Sequence, residues 1–154
     1  MTTTSAHKKT ITSSPVATWA VFIVSGGLLI ASGAIHLDLW DIAYRNVPTL
    51  GPLFLVQVIA AFVIGITIIA TRHVLALVAG AGLCAGTILG FILVRTVGLF
   101  GFKLGFSSGE ANTVLVIEAI AVVLLLATAV LMWRRAASPR SIQGLLALRA
   151  GGLQ

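Results

Sequence analysis

The densest chemistry in the chain falls in the stretch IHLDLWDIAYRNVPTLG, positions 35–51, which gathers His36, Asp38, Asp41 and Arg45 beside Trp40 and Tyr44. Such a cluster can be structural, an inter-helix ion pair and hydrogen bonds that fix packing, or it can serve proton exchange between about pH 5 and 8, the binding of a small polar solute, or the holding of a hard or borderline divalent ion. Three further polar side chains, Gln57, Arg95 and Glu118, each stand inside an apolar run. The HxD spacing of His36 and Asp38, with Asp41 and Glu118 as further oxygen donors, is far less specific than a zinc signature, so metal occupancy is left unknown. No cofactor is expected. His7 lies in the N-terminal tail and His36 and His73 belong to opposite ends of the helices, which excludes a bis-histidine haem within one chain. No nucleophile triad, phosphate-binding loop or dinucleotide fingerprint is present, so no enzymatic activity is expected.

The elements that must position these residues follow from composition. Of 154 residues, 58% are hydrophobic and 9% charged, against roughly a quarter charged in soluble domains. A soluble fold could not cover itself with so few charges. The net charge of +6 comes from ten Lys and Arg placed at chain ends and between apolar runs. No basic patch is interleaved with aromatics, so the expected counter-surface is anionic lipid and not nucleic acid. The single cysteine, Cys84, sits inside an apolar run; it can form no intrachain disulfide and reads as a small buried hydrophobe.

Hydropathy divides the chain into a disordered, Ser- and Thr-rich cytoplasmic tail (1–15), a transmembrane domain (16–133) and a basic cytoplasmic tail (134–154). The expected spans are 16–37, 53–70, 74–95 and 113–133, each near the roughly 20 residues that cross a bilayer. The rival reading of the first span as a signal peptide loses weight on its length, and cleavage would remove the helix that carries His36. NVPTLGP, with two prolines and a glycine, marks a turn before the second span. In the third, Gly82, Gly86 and Gly90 recur at intervals of four and line one face as a groove for close helix packing. The connection 96–112 carries Gly98, Gly101, Gly105 and Gly109 with Phe100, Phe102 and Phe106 between them. It is expected to fold over the helix ends, with glycines permitting tight turns.

The fold class is therefore all-α, an integral membrane four-helix transmembrane bundle. If the spans alternate, Lys8, Lys9, Arg72, Arg134, Arg135, Arg140 and Arg149 share one side, and Arg45, Arg95 and Lys103 the other. The positive-inside rule puts both termini in the cytoplasm of a multi-pass plasma membrane protein. Each helix then offers one polar side chain near its outer end: His36, Gln57, Arg95 and Glu118. A carboxylate facing lipid is unfavourable, so Glu118 should face the bundle, with Arg95 its first expected partner and His36 its second. Ser25, Leu29, Ser32 and His36 fall on one helical stripe, so His36 should point toward protein. Asp41 and Arg45, four apart, suit an exposed ion pair.

The segments HLDLW, YRNVPTLGPLFLVQ and RTVGLFGF resemble a group of small four-span integral membrane proteins from actinobacteria, over about positions 31–123. The resemblance implies the topology and an actinobacterial plasma membrane, and carries over no catalytic residue. Two roles stay open. One is an accessory or scaffolding subunit that packs, with a membrane partner or with its own copies, through the Gly82, Gly86, Gly90 groove. The other is a small-solute or proton-linked carrier or binder that uses the outward-facing polar cluster.

Overall fold

The computed structural model describes residues 15–103 and 109–137; the two expected tails, with Lys8, Lys9, Arg140 and Arg149, and the loop positions Gly105 and Phe106 fall largely outside them. Helix α1 runs over Pro15–Leu39 and continues as a wider turn over Trp40–Tyr44, in which the Arg45 N–H donates to the Trp40 carbonyl five residues back at 2.8 Å. Helices α2 (Leu50–Thr71), α3 (Val74–Thr96) and α4 (Gly109–Ala136) follow. No strand occurs among the described residues; Leu99 and Phe102 form one isolated bridge.

All four helices are long and apolar enough to cross a membrane: 27, 22, 23 and 25 residues, with mean hydropathy from 2.0 to 2.9. Their surfaces agree. Large apolar side chains such as Leu75, Val123 and Ile59 are exposed, while Ser25, Ser32, His36, Glu118 and Thr128 are buried. Water would penalise so much exposed hydrocarbon, whereas lipid would penalise exposed polar groups; this distribution suits the second solvent.

Helix α1 packs chiefly on α2, and α3 on α4. The first pair approaches backbone to backbone, because a Cβ on Gly26 would lie 2.6 Å from the Gly65 carbonyl oxygen and one on Gly65 would lie 2.7 Å from Ile30. Gly33 rests against Ala61 and Phe62, and Gly80 against Leu29, Ile68 and Leu125, which joins the two pairs in a core of Phe22, Leu29, Ile68, Leu77 and Leu125. The glycines expected to mediate packing behave differently. Gly82, Gly86 and Gly90 have nothing within 4 Å of a Cβ position, so none of the described helices closes on that stripe.

The short link after α2 uses Arg72 in the left-handed conformation, and the Leu75 N–H donates to His73 Nδ1 at 3.3 Å as α3 begins. At this end the Arg72 guanidinium sits 4.0 Å from the Trp19 ring centre, and Arg135 donates to the Thr18 hydroxyl at 3.3 Å, tying α1, α2 and α4 together. At the far end the turn before α2 closes on Gly51, where a Cβ would meet the Tyr44 and Arg45 carbonyl oxygens at 2.8 Å.

Candidate functional site

Glu118 is the polar centre of the bundle. Its side chain is 1% exposed, and its Oε1 accepts a hydrogen bond of 2.5 Å from the Ser32 hydroxyl on α1. The His36 Nδ1 lies 3.8 Å from the same oxygen and 2.9 Å from the Ser32 carbonyl one turn back. A carbonyl can only accept, so that contact assigns the ring proton to Nδ1 and leaves Nε2 as the other polar atom of the ring. The Cys84 thiol of α3 lies beside the same carboxyl group. Further along α1, Ser25 and Thr128 bring their hydroxyls to 3.5 Å. The stripe Ser25, Leu29, Ser32 and His36 is buried throughout, as its spacing requires.

Beside this centre lies a cleft of about 510 Å³ bounded by all four helices. His36, Gln57 and Glu118 form its polar wall. Gly82, Gly86 and Gly90 form a flat wall on α3, and Leu50, Leu53 and Phe54 face the cleft from α2. Its upper edge is an aromatic arch: Tyr44 stacks on Phe54 at 4.5 Å between ring centres and meets Phe102 edge-on at 5.9 Å. Phe54 also tilts against the His36 ring at 5.6 Å. Positive φ occurs at Gly98, just before the Leu99–Phe102 turn that delivers Phe102, and at Phe100 and Gly101 within it; the two glycines adopt it without steric cost.

The structure thus brings together three of the seven polar residues singled out in the sequence, His36, Gln57 and Glu118. Arg95 is not the partner of Glu118. It donates to Asn112 Oδ1 at 3.1 Å and lies 4.6 Å over the Phe91 ring. The reason is the start of α4, at Gly109 and not 113. Glu118 stands six residues beyond Asn112, about 9 Å deeper along the helix than the level Arg95 reaches. Asp38 is exposed on another face, and Asp41 accepts from Arg45 at 3.3 Å in an exposed pair. Among the described residues no group of three or more His, Cys, Asp and Glu is placed to hold a metal ion, and Asp41, paired with Arg45, is not among the side chains beside His36 and Glu118.

Sequence reasoning missed Ser32 as the donor to Glu118 and the arch of Tyr44, Phe54 and Phe102. Tyr44 carried a signal, being the only tyrosine of the chain and set in its most polar stretch. Four buried side-chain atoms among the described residues have no hydrogen-bond partner: Gln57 Nε2, Glu118 Oε2, and Arg95 Nε and Nη2. All belong to the cleft end of the bundle. An unpaired buried polar atom costs about 1–3 kcal/mol, so each of these four atoms calls for a partner.

Comparison with family models, curated proteins and solved structures finds no match for this chain.

Proposed function

We propose that this chain is a multi-pass plasma membrane protein with both termini cytoplasmic, and that it binds a small molecule in the cleft between its two helix pairs. Glu118 and Gln57 would contact the polar part of that molecule, with Ser32 and His36 fixing the carboxyl. The observation that carries the reading is a cleft of about 510 Å³ whose polar wall holds two orphaned atoms, Glu118 Oε2 and Gln57 Nε2. The volume falls within the roughly 300–1,000 Å³ typical of small-molecule pockets. The proposed orientation rests on Arg72, Arg134 and Arg135 at one end, and it puts the mouth of the cleft at the outer surface.

Native mass measurement of the full chain, extracted in mild detergent, tests this. A bound small molecule should appear as a discrete added mass and be lost in Gly86→Leu, whose side chain would grow into the cleft. The absence of any added mass on either protein, with saturating lipid extract added back, would sink the reading.

The open glycine stripe favours a second reading, an accessory subunit whose membrane partner covers Gly82 and Gly86. The same spectra separate the two, since a stoichiometric protein complex, and not a small adduct, would then be the species lost in Gly86→Leu.

A further inference from the structure

We infer that the molecule taken by this cleft is a neutral amphiphile with a hydroxyl head, whose hydrocarbon body lies along the glycine wall of α3. The inference rests on the binding reading above and names its ligand class. Most of the lining is hydrocarbon: Leu50, Leu53, Phe54, Ile88, Phe91 and Val94 among others. A ligand with several polar groups would leave most of them unpaired. From Gly82 to Gly90 the α3 wall lacks Cβ branches at every fourth position, a smooth strip about 12 Å long at 1.5 Å per residue. An extended chain or a flat ring system can lie against such a strip.

The head group follows from the orphaned atoms. Glu118 Oε2 is an acceptor or, when the carboxyl is protonated, a donor, and Gln57 Nε2 is a donor. A hydroxyl can donate to the first or accept from the second. A carboxylate head offers acceptors only, and beside an ionised Glu118 it would set like charge against like, with His36 Nδ1 already engaged with the Ser32 carbonyl. An ammonium head has no acceptor capacity and would leave Gln57 Nε2 unanswered.

The test uses the full chain in lipid nanodiscs and three photoreactive C12 probes of one chain length, with hydroxyl, carboxylate and ammonium heads. Labelled peptides are identified by mass. The hydroxyl probe should label the α2 and α3 walls saturably, and unlabelled alcohol of the same length should compete. Glu118→Leu should lower that labelling about tenfold, the effect of losing one hydrogen bond to the carboxyl group. Gly86→Leu, whose Cβ would meet no atom within 4 Å, should lower it as far while the protein still melts cooperatively. Saturable cleft labelling by the carboxylate or ammonium probe in preference to the alcohol would overturn this ligand class and leave the binding reading standing. Unsaturable labelling spread over the lipid-facing surface by all three probes would overturn both.

Discussion

A buried carboxyl group is only as stable as its donors, and the Ser32 hydroxyl donates to Glu118 at 2.5 Å. Ser32→Ala should therefore lower thermal stability in detergent by the equivalent of about 1–3 kcal/mol. Ser25→Ala should be close to neutral, because its contact with Thr128 is 3.5 Å long and Thr128 already donates to the Leu124 carbonyl at 2.8 Å. Equal losses in the two variants would show that Ser32 acts through packing and not through the carboxyl. The inward direction of His36 and Ser32 was legible from the sequence, since spacings of three and four put them on one stripe with Leu29. The pairing of Glu118 was not. It depends on where α4 begins, and no apolar periodicity marks Gly109 as the start. A shift of four residues moves Glu118 about 6 Å along the axis, enough to exchange Arg95 for Ser32 and His36.

Between elements, the decisive contacts are made by glycines that recur less regularly than those of α3. Gly65→Ala should drive a methyl group into Ile30 and the Gly26 carbonyl oxygen and destabilise the fold by about 1–3 kcal/mol, the usual cost of overpacking. Gly82→Ala should leave stability unchanged or raise it by up to about 1 kcal/mol, since it enters open space and alanine is the better helix former. Thermal melts of the two variants under the same conditions check the contrast, and a loss in Gly82→Ala would show that something covers the stripe in the membrane. The four helices were legible because each is built on a largely apolar run near the roughly 20 residues that cross a bilayer. Which glycines carry the packing was not, because a stripe at intervals of four looks the same whether it faces a neighbouring helix or a gap. The widened turn at Trp40–Tyr44 was equally hidden: its i to i−5 bonding leaves no mark in composition.

At the scale of the molecule, the two ends of the bundle differ in kind. One is tied by Arg72 on Trp19 and by Arg135 on Thr18, while the other opens into the cleft beneath the aromatic arch. The proposed orientation predicts opposite access for two exposed positions. In a Cys84→Ser background, Lys103→Cys should react with a membrane-impermeant thiol reagent applied to intact cells, and Arg72→Cys only after permeabilisation. Reaction of both from outside would reverse or break the assignment of sides. The arch itself depends on chain length more than on residue type. Because the turn at Trp40–Tyr44 holds one residue more than a regular coil would, it shifts the angular phase of everything after Leu39 and swings Tyr44 back over Phe54. Deleting Ala43 would restore the ordinary pitch, rotate the tyrosine off its neighbour and unroof the interior while leaving four intact spans. On the binding reading proposed above, a one-residue change in length at this point would alter access to the cleft independently of the chemistry of the wall below.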